Sequence, residues 1–82
     1  MMQVNVQMFG EFRVLGDCLE LTLPENSTVL DLREFIQNQV GEFELTELLK
    51  LSKFADEKAV LTDTSLCKNN QILAILPPVS GG

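Results

Sequence analysis

Five consecutive apolar residues, Ile72-Leu73-Ala74-Ile75-Leu76, shut off by Pro77-Pro78, constrain this chain more than any other stretch. Successive side chains of a strand point to opposite sides of its sheet, so a run that is apolar at every position belongs to a central strand with apolar surface on both faces. The prolines end it, because they have no amide hydrogen to give to a ladder. A central strand needs a neighbour on each side. In a chain of 82 residues both must come from the same domain, since this length closes one modest core and is too short to split. Apolar residues are 45% and charged residues 22% of the composition, a balance that supplies such a core and argues against a disordered chain.

The neighbours are legible as alternating segments. Val4, Val6 and Met8 alternate with Gln3, Asn5 and Gln7, which predicts a strand with one face on the core; Phe9 is out of phase and points the other way if the strand reaches it. Gly10 to Gly16 reads as a loop or about one or two helical turns, with Phe12 and Val14-Leu15 able to cover a core edge. Leu19, Leu21 and Leu23 alternate with Glu20 and Thr22 as far as Pro24, a second strand that pairs with the first as a hairpin with a long connection. Thr28 with Asp31 three positions on forms a capping pair, and Val29, Leu32, Phe35 or Ile36, and Val40 follow at helical spacing up to Gly41. From Glu44 to Lys53 the leucines suit a helical stripe running into a strand, with Lys50 to Ala55 as that strand, turning through Asp56-Glu57-Lys58 into Ala59 to Thr62. Leu66 is expected to plug the core from a loop, and Lys68-Asn69-Asn70-Gln71 to form a polar turn in which Asn tolerates positive φ.

Assembled, these segments predict an α+β domain: a small sheet with one main helix packed across it. The expected core is Val4, Val6, Met8, Leu21, Val29, Leu32, Ile36, Leu66, Leu73 and Ile75. Ile72, Ala74 and Leu76 are left on the far side with Phe9. One helix covers only one face of a sheet, so an apolar far side invites a partner.

Charge narrows the choice of partner. Six Lys and Arg against twelve Asp and Glu leave a net charge of −6, which repels nucleic-acid phosphates and anionic lipid and attracts basic protein surfaces. The longest apolar run is far short of the roughly twenty residues that a membrane span needs, and Met1-Met2-Gln3 lacks the charged start of a signal peptide. A cytoplasmic location is the expectation, with no nucleic acid and no membrane as partner. In a reducing compartment Cys18 and Cys67 are expected as free thiols instead of a disulfide. With no histidine and no close Cys spacing, a zinc site and the usual Ser-His or Cys-His catalytic arrangements are disfavoured. A lone Cys nucleophile has nothing nearby in the sequence that clearly lowers its pKa.

After the apolar run stands "PPVSGG", residues 77–82. Paired glycines at one given place arise by composition in about one chain in two hundred, so a frayed end is the bland reading. Their neighbourhood argues for more. Pro77 and Pro78 favour an extended conformation that leaves the domain in a defined direction, and Gly81 and Gly82, lacking Cβ, pass through a channel too narrow for other residues. Fully extended, the six residues reach about 20 Å, enough to carry a terminal carboxylate into another protein's active site. The division is then residues 1–76 as the domain and 77–82 as a flexible tail.

In length, order of elements and the "PPVSGG" ending, the chain resembles the small subunit of molybdopterin synthase, a sulfur carrier with the ubiquitin-like β-grasp fold. Other ubiquitin-like carriers and modifiers share the Gly-Gly end, but "PPVS" before it is most similar to the molybdopterin branch. The "CKNN" turn and "FADEK" depart from that family's usual residues at those places. The resemblance implies a mixed sheet with one main helix on one face and an extended C-terminal tail. It further implies that an adenylating and sulfurating enzyme uses ATP to activate the carboxylate of Gly82, that sulfur then replaces AMP, and that the resulting thiocarboxylate gives its sulfur to a pterin precursor. On this analogy the chain is a non-catalytic subunit with no stably bound cofactor and no metal. The large subunit holds the active site, in a complex expected to be a heterotetramer. Gly82 carries the sulfur, Gly81 permits threading, Ser80 and Val79 contact the channel, Pro78 and Pro77 direct the tail, and Phe9, Val60 and Leu76 form the outward patch that docks both partners. Strand phase independently sets Phe9 and Leu76 on one face, whereas Val60 and Leu76 could instead complete the core. The alternatives in function are another ubiquitin-like sulfur carrier, for thiamine or tRNA thiolation, a modifier conjugated to lysine, or an interaction domain without tail chemistry.

Overall fold

The computed structural model describes residues 1–41 and 43–78. Strand β1 (Met2–Gln7) leads through a short 3₁₀ helix (Gly10–Leu15) into β2 (Cys18–Leu23); helices α1 (Val29–Val40) and α2 (Phe43–Leu51) follow, then β3 (Lys53–Ala55), β4 (Val60–Leu61) and β5 (Gln71–Leu76). The strands form a five-stranded mixed sheet in the order β2-β1-β5-β3-β4. The apolar run is thus the central strand. It lies parallel to β1, with Val6 opposite Leu73, and antiparallel to β3, with Phe54 opposite Ile75. This mixed sheet with helices packed on one face is the ubiquitin-like β-grasp fold.

Period-two alternation sorts the strands into faces. Met2, Val4 and Val6 of β1, Leu21 and Leu23 of β2, Phe54 of β3, and Leu73 and Ile75 of β5 are buried against the helices. Helix α1 starts where the capping pair predicts: the Thr28 hydroxyl accepts from the Asp31 amide at 3.3 Å, and the Asp31 carboxylate accepts from the Thr28 amide at 2.9 Å. It ends at Gly41, whose φ of 69° is the left-handed conformation that glycine adopts without a Cβ penalty. Val29, Leu32 and Ile36 form its buried stripe.

Several expectations need correction. The helical stripe read from Glu44 forms a second helix, α2, which buries Leu45 and Leu49 beside the one main helix expected, and the strand expected from Lys50 begins only at Lys53. Leu66 does not plug the core. It is 57% exposed, and Cys67 beside it is buried. The cause is register: Leu66 bridges Thr28 antiparallel, flanked by bonds from the Val29 amide to the Ser65 carbonyl (2.9 Å) and from the Cys67 amide to the Ser27 carbonyl (2.8 Å). Alternation across that bridge turns Cys67 inward with Ser27 and Val29, and turns Leu66 out. The strand β1 stops at Gln7, short of Phe9, and the segment after it is a 3₁₀ helix that buries Phe12 completely.

One polar side chain ties the helical layer to the sheet. Arg33 of α1 donates from Nη1 to the carbonyls of Leu49 (2.6 Å) and Ser52 (2.7 Å) and from Nη2 to the Asp63 carboxylate (2.9 Å), and its guanidinium lies 5.2 Å from the centroid of the Phe54 ring. The last carbonyls of a helix have no partner within it, and Arg33 supplies one for the end of α2. Among the described residues, no helix is long and apolar enough to cross a membrane.

Candidate functional site

The face of the sheet away from the helices is built by the other half of the same alternation. Across its middle the register sets Cys18, Gln7, Ala74, Ala55 and Val60 side by side from β2 to β4, with Ile72 and Leu76 on either side of Ala74 along β5. Val60 is 56%, Ile72 61% and Leu76 38% exposed, so Val60 and Leu76 do not complete the core. Phe9 is likewise exposed and precedes the 3₁₀ helix in extended conformation. Sequence phase alone finds Ile72, Ala74 and Leu76 on this side; its placement of Phe9 requires β1 to reach that residue, and β1 stops at Gln7. Phase misses Ala55, and it misses Lys53, which pairs with Leu76 and brings a positive charge beside the apolar strip of an acidic protein.

The two ends of β5 differ in chemistry. At its start a groove of about 560 Å³ opens between the β3–β4 turn and the sheet, lined among others by Asp56, Lys58, Lys68 and Ile72. Asp56 is committed to the turn: its Oδ1 accepts from the amides of Lys58 and Ala59, both at 2.8 Å. Those two bonds hold its carboxyl below the usual carboxylate range, with a smaller contribution from the nearby lysines. The turn leading into β5 is fixed by Asn70 at φ 61°, whose amide donates to the Gln3 carbonyl at 2.7 Å, while the side-chain oxygen of Asn69 accepts from the Gln3 amide at 2.9 Å. This is the positive-φ Asn expected from the sequence.

At the other end β5 runs out into Pro77, which is half-buried, and Pro78, which is exposed. Gly10, at φ 60°, faces the Pro77 ring: a Cβ built on it would stand 2.8 Å from the proline Cγ. Phe9 and Leu76, each the chain neighbour of one member of this contact, are thereby brought to the same end of the sheet. Nothing in the sequence advertises the contact except a glycine following a strand. Val79, Ser80, Gly81 and Gly82, the expected threading and sulfur-carrying residues, lie outside the described residues.

The cysteines are separate free thiols, Cys18 exposed and Cys67 buried. Burial pushes the Cys67 thiol up, and the Asp31 carboxylate adds to the effect, the reverse of what a nucleophile requires. Among the described residues no group of His, Cys, Asp and Glu side chains is arranged to hold a metal ion.

A sequence comparison with curated proteins returns no significant match. The profile described as the ThiS family, however, matches residues 6–82. The chain belongs to the ThiS family. Members of the ThiS family are small ubiquitin-like sulfur carriers, and the solved structures agree with that assignment. A proposed molybdopterin converting factor subunit 1 from Pyrococcus furiosus superposes with a TM-score of 0.76 at 25% identity, covering 96% of this chain and 100% of that one. Subunit 1 in a complex of subunits 1 and 2 of molybdopterin-converting factor from Helicobacter pylori gives 0.67 at 23% identity, over 99% and 100% of the two chains. The small archaeal modifier protein 1 of Haloferax volcanii gives 0.72 at 14% identity, over 96% and 100%, a likeness of fold.

Proposed function

We propose that this ThiS-family protein is the sulfur-carrying small subunit of a molybdopterin synthase, and that Gly82 bears the sulfur. The observation that carries the reading is the exit of β5. The central strand delivers Pro77 at the border of an exposed apolar face, and the family match continues through the glycine pair beyond it.

The chemistry follows from the electrophile. An ionised α-carboxylate resists nucleophiles at neutral pH. In the proposed cycle a carboxylate oxygen of Gly82 attacks the α-phosphorus of ATP on an adenylating enzyme, and pyrophosphate leaves. A sulfide-level sulfur nucleophile from a donor then adds to the acyl carbon, and AMP departs with the electron pair of the broken C–O bond. The product is a thiocarboxylate. On the large subunit it hands its sulfur to a pterin precursor while the Phe9, Val60 and Leu76 surface docks outside the active site. ATP is a substrate of the partner, and this chain needs no cofactor of its own. Pro77 and Pro78 aim the tail, Val79 and Ser80 line the path, and Gly81 passes the narrowest point.

Intact mass of the protein from cells, before and after incubation with ATP, an adenylating enzyme and a sulfur donor, tests the reading. Exchange of one oxygen for sulfur at Gly82, followed by its loss on adding the large subunit and pterin precursor, is the expected result. Conjugates of higher mass joined through lysine would overturn it in favour of a modifier. Full activity of a variant lacking Gly82 would overturn tail chemistry altogether.

A further inference from the structure

We infer that Gly10 is a positioning residue for the tail: its bare Cα seats the Pro77 ring and thereby sets the direction in which the chain leaves the sheet. The use of that direction rests on the sulfur-carrier reading; the geometry does not. Pro77 is the first residue past β5 and has no amide hydrogen, so the β5 ladder cannot hold it through a backbone N–H bond. What it meets instead is Gly10. A Cβ at that position would lie 2.8 Å from Cγ, 3.8 Å from Cβ and 4.0 Å from Cδ of the ring, so side-chain space at Gly10 is already filled by proline.

The seat itself is fixed. Gly10 opens the 3₁₀ helix whose Phe12 is fully buried. The Phe12 amide donates to the Phe9 carbonyl at 3.2 Å, the Gly16 amide to the Arg13 carbonyl at 3.0 Å, and the Met8 amide to the Asp17 carbonyl at 2.9 Å. A short helix pinned at both ends and in the core makes a firm backstop for a ring that has few internal freedoms of its own.

The molecule contains its own control. Gly41 has a similar φ, 69° against 60°, yet among the described residues nothing beyond its chain neighbours lies within 4 Å of the Cβ it lacks. Among the described residues, Gly41→Ala therefore introduces left-handed strain without a collision, whereas Gly10→Ala introduces that strain plus a collision with Pro77.

A nitroxide attached to the exposed Cys18, two strands from β5 in the register, reads the tail by paramagnetic broadening of the amides of residues 79–82. Gly10→Ala is expected to change the broadening profile and Gly41→Ala to leave it as in the wild type. Profiles of Gly10→Ala and wild type that superimpose would overturn the inference. Should Gly10→Ala fail to fold, Pro77→Ala, which keeps the glycine and removes the ring, must change the profile; no change there overturns it equally. In ATP–pyrophosphate exchange with the adenylating enzyme, Gly10→Ala should lower kcat by on the order of ten- to a hundred-fold with KM held, because the docking face is intact while the carboxylate is misaimed. Gly41→Ala should stay within about twofold, since it leaves that aim untouched. An unchanged kcat for Gly10→Ala would remove the functional role of the seat. Absence of exchange with the wild-type protein would instead remove the carrier reading and leave the broadening to decide the geometry.

Discussion

Strand β5 presents two apolar faces that the protein treats in opposite ways. Leu73 and Ile75 are 1% and 0% exposed beneath the helices, whereas Ile72, one residue away, is 61% exposed. The sealed face is held by packing, by the capping box of α1 and by the Arg33 bridge. The open face has the same kind of residues and, among the described residues, no cover. Removal from water contributes about 25 cal/mol per Å² of apolar surface, so the first face accounts for stability and the second contributes little of it in the isolated chain. The lesson is a division of labour within one strand: alternate residues build the domain, and those between them meet whatever it encounters.

Mutations should expose that division in order of size. Phe54→Ala removes a fully buried ring from under both the helices and the Arg33 guanidinium, and a loss of about 3–5 kcal/mol in urea unfolding is expected. Arg33→Ala should lose about 2–3 kcal/mol, because the Leu49 and Ser52 carbonyls are stripped of their donor while half-exposed Asp63 returns to water. Arg33→Lys should recover less than half of that, since an ammonium cannot span both carbonyls and the carboxylate. If Arg33→Lys is wild-type in stability, the bridge is decoration and the comparison between faces loses its polar half. Thr28→Ala, which removes the cap acceptor, should cost about 1 kcal/mol by the same measurement. At the small end, Val60→Ser and Ile72→Ser should stay within about 0.5 kcal/mol of wild type while weakening capture of the large subunit. A stability loss at Ile72 comparable to one at Leu73 would erase the contrast.

The buried face also carries a pH signature. Burial raises the Cys67 pKa in the folded state above the ordinary 9.0, so the folded protein keeps the proton when the unfolded chain has lost it. This contribution is fully present below about pH 9 and drains away as pH climbs through the raised value. Thermal melts from pH 8 to 10.5 should fall more steeply for the wild type than for Cys67→Ala. Alkylation under native conditions should mark Cys18 and spare Cys67.

Much of this arrangement is visible in the residues. Alternation in Val4-Val6-Met8 and Leu19-Leu21-Leu23, the Thr28–Asp31 pair, and the doubly apolar run before Pro77 each point to the element that forms, since every one of these signals is local. What local pattern could not supply is register between distant segments. Leu66 is the core residue expected of its loop, and only the bridge to Thr28 shows that Cys67 turns inward in its place. Arg33 reads as an ordinary charge on a helix face, because its acceptors lie in α2, in the residue after it and in a later loop. Phe54 sits in a short strand without enough alternation to show its side. At the tail exit the prolines and glycines were legible as a motif, whereas the Gly10–Pro77 contact joins the two ends of the domain and leaves no periodic trace.

The parallel pairing of β1 with β5 has a consequence in time. The strand that occupies the middle of the sheet is made after every other element, and its partner β1 waits beside an empty seat through the synthesis of β2, both helices, β3 and β4. Contacts so distant in sequence form late and slowly. Closure of the sheet therefore waits for its last strand: a nascent or nicked chain without β5 has no centre, and only a sheet that holds β5 can set Pro77 against Gly10.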